Sequence, residues 1–182
     1  MKVFVNPGHA PGLDSGAVNA NGTQEANVAL DVGKLVCAYL EKAGVSTEML
    51  QSNSLNGEDE DADNPSICQT ANNSCADLFI SIHCNAANRR AKGTECCIYG
   101  SGGSRERLAA CIQKQIVDSV GTVDRGIKIR PDLAVLRHTS MPAVLIEMAF
   151  IDNDGDCSLL TERTDDFARA IARGVTDYQV MA

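Results

Sequence analysis

The chain holds three histidines, and two of them stand where apolar runs stop. "VNPGHAPGLDSGA" places His9 just after KVFVN, and "ADLFISIHCNA" reaches His83 at the end of a continuous hydrophobic stretch. A histidine at a strand end presents its ring nitrogens to an ion or a proton more readily than it packs into a core. Two carboxylates accompany them: Glu25 at the start of a predicted helix, and Glu147 interrupting the apolar PAVLIEMAF. Each residue has an ordinary reading. Glu25 can simply favour the helix dipole, worth about 0.3 to 1 kcal/mol. His83 can be a core histidine satisfied by a backbone carbonyl, and Glu147 can be half of a buried ion pair, since a lone buried carboxylate costs several kcal/mol. Taken together they admit a different chemistry, because two imidazoles and one carboxylate are a ligand set for a catalytic zinc that keeps its fourth position open. Glu147 is then left as a base beside the metal, and its burial is explained by proton transfer.

These groups must be positioned by the elements that precede them. Residues 2–6 read as a short strand ending at Pro7-Gly8. The segment TQEANVALDVGKLVCAYLEKAG spaces Val28, Val32, Leu35, Val36 and Leu40 as one face of a helix, with Thr23 as the expected N-cap and Gly44 as the stop. VSTEML (45–50) follows as a strand, then a polar loop over 51–66, a short helix over 66–76 and the strand ADLFISIHC. GTECCIYG (93–100) predicts another strand and 104–120 a helix. RGIKIR and LAVLR predict short strands broken by Pro131, MPAVLIEMAF (141–150) a buried strand, and 162–180 a last helix after the DNDGD turn. Alternating strands and helices, with two strands apolar on both faces, predict a three-layer α/β sandwich: a mostly parallel twisted sheet with helices on both faces. Ligands of such sheets gather at the carboxyl ends of the strands. His9, Glu25, His83 and Glu147 all fall toward that edge.

At 182 residues the chain is read as one domain, 1–182. With 44% hydrophobic residues, 4% aromatics and no Trp, its core must be aliphatic. A net charge of -8 argues against a nucleic-acid partner. No run is long and apolar enough for a membrane span, and MKVFVNPGHA lacks the apolar core of a secretory signal. Synthesis in the cytoplasm, or excision from a longer protein, is therefore expected. The eight cysteines include no C-x-x-C pair and sit mostly in apolar runs, so they read as buried thiols in a reducing compartment. Two acidic runs, GEDEDADNP and DNDGD, fail the calcium-loop template: the first lacks the following glycine and closing glutamate, and Cys157 occupies the glycine position of the second.

Four segments taken in order, NPGHAPGLDSGA, GTQEANVALDVGKLVCAYLEKAG, ADLFISIHCNA and LAVLRHTSMPAVLIEMAF, resemble the catalytic domain of the zinc-dependent N-acetylmuramoyl-L-alanine amidases, the amidase_3 family, over residues 2 to about 160. The resemblance implies that His9, Glu25 and His83 hold one zinc ion per chain and that Glu147 is the catalytic acid/base. It further implies a peptidoglycan substrate, cut at the amide between the lactyl group of N-acetylmuramic acid and L-alanine. Asn85, in the SIH-x-N pattern, and His138 are the expected substrate contacts, with a plain surface position as the competing reading of His138. Three departures matter. Asn6 replaces the family's usual Asp, which predicts a neutral contact behind the first histidine and weaker metal binding. The family's threonine-arginine-aspartate stretch is missing from EMLQSNSLNG. GTECCIYG passes quickly into SRERLAACIQ, with no room for a covering helix, which predicts an open site. The alternatives are a zinc peptidase cutting within the stem peptide, a wall-binding module without catalysis, and a structural domain without zinc.

Overall fold

The uninterrupted apolar runs become the middle of one sheet. The computed structural model describes residues 1–56 and 64–181. In chain order they form β1 (Lys2–Pro7), α1 (Glu25–Lys42), β2 (Ser46–Met49), α2 (Ile67–Asn73), β3 (Leu78–Asn85), β4 (Thr94–Ile98), α3 (Gly103–Val120), β5 (Asp124–Ile129), α4 (Ala134–His138), β6 (Ala143–Phe150), α5 (Asp154–Glu162) and α6 (Thr164–Met181). The acidic run at 57–63, expected to be a solvated loop and not a calcium site, lies outside the described residues. Among the described residues no helix is long and apolar enough to cross a membrane.

The six strands lie in the order β2-β1-β3-β6-β4-β5, parallel throughout except between β4 and β6. Residues 86–93 are too few for the crossover that a parallel return requires. The chain therefore comes back antiparallel, and β6 later fills the slot between β3 and β4. Alternation along each strand divides the core. Val3, Val5, Ile80, Ile82, Val144 and Ile146 pack with α1, α3, α5 and α6 on one face. Phe4, Phe79, Cys97 and Leu145 pack with α2 and α4 on the other. Phe4 and Phe79, neighbours in the parallel register, stack with ring centroids 5.8 Å apart. This is the expected three-layer α/β sandwich with a mostly parallel sheet.

Three local expectations need correction. LAVLR is not a strand but the short helix α4, because Val135 and Leu136 find their apolar partners in the core beneath α2 rather than along a sheet edge. The DNDGD turn opens a further helix, α5, where Asn153 accepts hydrogen bonds from the N–H groups of Gly155 and Asp156 as an N-cap. The N-cap of α1 is Gln24, not Thr23. Its side chain makes no cap bond. The carbonyls of Ala17 and Ser15 instead accept from Glu25 N and Ala26 N, so the preceding loop itself closes the helix start. The cysteines are all free, and Cys68, Cys84, Cys96, Cys97 and Cys157 are buried as small hydrophobes.

α3 and α6 approach so closely that a Cβ on Gly174 would stand 2.5 Å from Ile112 Cα. Gly174→Ala should lower the urea midpoint of unfolding, because overpacking of about 1–3 kcal/mol outweighs the roughly 1 kcal/mol that Ala gains over Gly in a helix. A midpoint that rises would show that the two helices can separate freely.

Candidate metal and catalytic site

β1 delivers His9 through a tight passage. Gly8 N donates to Ile82 O at 2.8 Å, carrying the β1–β3 ladder one step past the strand. A Cβ on Gly8 would lie 2.2 Å from His83 Cε1, so only glycine lets the backbone run against that ring. His9 itself adopts a left-handed φ of 61°, a conformation costly for a side-chain-bearing residue and therefore held by its surroundings. Its Nδ1 lies 2.6 Å from Asp14 Oδ2, while Asp14 Oδ1 accepts from Gly16 N at 2.9 Å. Gly16 lies close to both His9 and Glu25, since a Cβ there would stand 2.6 Å from His9 Cδ2 and 2.7 Å from Glu25 Oε2.

Glu25, the first residue of α1, is the hub. Its Oε2 lies 3.2 Å from His9 Nε2 and accepts from Ala17 N at 2.9 Å. Its Oε1 lies 3.0 Å from His83 Nδ1 and accepts from Cys84 N at 2.9 Å. Burial of Glu25 opposes its charge, but the hydrogen bonds from His83 and His9 outweigh it and hold the carboxyl well below the usual carboxylate range. The hydrogen bond to Glu25, working against burial and helped by Asp14, raises His9 to about 9. The His9 and His83 rings meet edge to face with centroids 5.1 Å apart. One donor atom from each of His9, Glu25 and His83 lies within 4.8 Å of the others, so the three can hold a metal ion between them. The donor chemistry suits zinc, and the Asp14 carboxylate behind His9 Nδ1 leaves Nε2 for the ion, as ligating histidines are usually braced. His9 and His83 keep 27% and 19% of their side-chain surface exposed against 4% for Glu25, which leaves the imidazole side of the group open to solvent.

Glu147 is the register partner of His83 on one side and of Glu95 on the other. Its Oε2 is buried with no hydrogen-bond partner among the described residues. Burial raises its pKa to about 7; the charge of His83 opposes that rise, and the carboxylates of Glu25 and Glu95 add to it. Asn85, two residues beyond His83, donates from Nδ2 to Glu95 Oε1 at 3.2 Å and accepts from Ala86 N at 2.9 Å. His138 is not brought to this group. It is exposed at the end of α4, leading toward the amino end of β6, and its carbonyl accepts from Asn72 Nδ2 at 2.8 Å.

The expected role of Asn6 is corrected. Its side chain donates to Leu50 O and Pro7 O and accepts from Ser81 Oγ, so it ties β1 to its neighbours and the carboxylate on His9 is Asp14. Gln51, from the segment lacking the family's usual residues, donates to Gly8 O and Ala26 O and so braces the His9 passage against α1. Asp14, Glu95 and Arg125 are the neighbours that the sequence reading missed. Glu95 carried a usable signal, since it interrupts the apolar GTECCIY as Glu147 interrupts its own strand.

The Amidase_3 family model, described as N-acetylmuramoyl-L-alanine amidase, matches residues 3–177. N-acetylmuramoyl-L-alanine amidase LytC of Bacillus subtilis is 34% identical over 97% of this chain, which covers 35% of LytC. The endolysin of Bacillus phage SPP1 is 37% identical over 94% of this chain and 62% of its own length. The chain thus spans about a third of the first of these relatives and less than two thirds of the second. Among solved structures, N-acetylmuramoyl-L-alanine amidase AmiC2 of Nostoc punctiforme superposes with a TM-score of 0.84 at 30% identity, covering 99% of this chain and 97% of AmiC2. With a family match across nearly every residue, and with the fold that positions His9, Glu25, His83 and Glu147 shared by such relatives, the chain belongs to the Amidase_3 family of N-acetylmuramoyl-L-alanine amidases.

Proposed function

We propose that this chain hydrolyses the amide between the lactyl group of N-acetylmuramic acid and L-alanine in peptidoglycan, with one zinc ion held by His9, Glu25 and His83 and with Glu147 as acid/base. The observation that carries this reading is the buried Oε2 of Glu147, without a hydrogen-bond partner among the described residues and one strand away from His83 and its two companions. A buried carboxylate without a partner is expensive, and such a cost persists where the group is needed for a reaction.

Zinc bound by the three residues would supply Lewis acidity, which can bring the pKa of a water from 15.7 to about 7. Glu147 accepts the proton as water oxygen bonds to the lactyl carbonyl carbon, and delivers it to the alanine nitrogen as the carbon–nitrogen bond breaks. A pKa near 7 suits a group that must both take and return a proton at neutral pH. Asp14 holds the tautomer of His9, and the N–H groups of Ala17 and Cys84 fix both oxygens of Glu25. Asn85, anchored by Glu95, faces the same row and is assigned to substrate binding. No such contact is assigned to His138.

The two glutamates should separate on substitution. Glu25→Ala should lose bound zinc, whereas Glu147→Ala should retain it and lose turnover by about 10²–10⁴, the usual contribution of a positioned acid/base. Zinc content by atomic absorption, read beside the new amino termini released from purified peptidoglycan, decides the matter. New termini other than alanine would point to a peptidase instead. Asp14→Asn should weaken zinc affinity by about 10–100-fold, measured by competition with a chelating dye. Unchanged affinity would show that Asp14 does not orient His9.

A further inference from the structure

We infer that Arg125 binds a carboxylate on the peptide part of the substrate, an inference that rests on the amidase reading above. The sheet register sets His83, Glu147 and Glu95 side by side on β3, β6 and β4. On β5 the register shifts between the pairs Thr94–Asp124 and Cys96–Ile127, so Arg125 and Gly126 together oppose Glu95. Gly126 takes a left-handed φ of 73°, and Asp124 Oδ1 accepts from Gly126 N at 2.8 Å. A bulge of this kind re-aims a side chain. Here it brings Arg125 back toward the site: Nε donates to Glu95 Oε2 at 2.7 Å, and the guanidinium stands 4.8 Å from the centre of the Phe150 ring on β6.

Held by an ion pair on one edge and an aromatic face beneath, the guanidinium is fixed before anything binds. A purely structural arginine commonly offers its fork to a carboxylate in two parallel bonds. This one uses Nε alone, and its terminal nitrogens have no partner among the described residues while the side chain remains 36% exposed. The same Glu95 also receives Asn85, so one carboxylate organises both side chains. Arg125 sits two strand spacings from Glu147, ~10 Å across the sheet. An extended peptide advances ~3.3–3.6 Å per residue. The group it reaches therefore lies within about three residues of the cleaved amide. A chain of net charge -8 repels an anionic peptide in general, so a fixed local cation is what such a ligand requires.

The test uses a short muramoyl-peptide with a free carboxylate in this range and its carboxamide twin, titrated by calorimetry into the full zinc-loaded chain carrying Glu147→Gln. With Arg125 present, the carboxylate form should bind about ten- to hundredfold tighter than the amide, the range for a hydrogen bond to a charged group. Adding Arg125→Gln should remove that preference and leave amide binding unchanged, and Arg125→Lys should restore part of it. Arg90→Gln, removing an exposed cation in the loop after β3, should leave the preference intact, which separates a contact from a diffuse field. Equal binding of the two forms to the protein with Arg125 intact overturns the inference whatever the arginine variants do, and so does binding of neither. Parallel digestion by the unsubstituted enzyme keeps the two readings apart. Cleavage of the lactyl–alanine amide without a carboxylate preference sinks Arg125 alone, whereas a preference without that cleavage sinks the amidase reading alone.

Discussion

One carboxylate joins the parts of the chain that matter here. Glu25 spans two imidazoles, and each of its oxygens also accepts a backbone N–H from a different segment, Ala17 in the first loop and Cys84 on β3. Four contacts from two regions, the loop after β1 and β3, therefore converge on the first residue of one helix. The carboxylate is almost completely buried, and only these donors make its charge tolerable there. An ion that replaced the shared protons would find its ligands already gathered.

Glu147 depends on topology instead of direct contacts. β6 forms late in the sequence yet occupies the slot between β3 and β4, so it arrives with His83 on one flank and Glu95 on the other. Both flanking groups act on its proton affinity in opposite senses, and burial exceeds either. Glu95 is spared the same fate because Arg125 and Asn85 satisfy it. Two glutamates adjacent in register thus differ in character through their partners: Glu95 is a paired anchor, and Glu147 keeps one carboxylate oxygen without a hydrogen-bond partner among the described residues.

The backbone makes comparable concessions around the same point. Gly8 gives up a side chain so that the first loop can pass His83, and His9 accepts a left-handed conformation immediately afterwards. Gln51 then clamps that loop to α1 from the far side. Strain, close approach and bracing fall together at the end of β1, where a parallel sheet presents its ligands.

Much of this was legible in the chain itself, because the signals were local. The apolar runs around Ile80 and Val144 announce buried parallel strands, the spacing of Val28, Val32 and Val36 announces a helix, and a histidine or glutamate breaking such a run marks a side chain with work to do. Those patterns identified the layered fold and singled out His9, Glu25, His83 and Glu147 as candidates. Only the tertiary structure decided which neighbour braces which group. Asp14 and not residue 6 meets His9, Glu95 lies beside Glu147 in register while a bulge on β5 brings Arg125 to Glu95, and LAVLR coils because a pocket of core beneath α2 accepts Val135 and Leu136. The first outcome turns on how the loop after β1 folds back on itself, the other two on contacts between residues far apart in sequence and on strand order, and none of these leaves a periodic trace in the residues concerned.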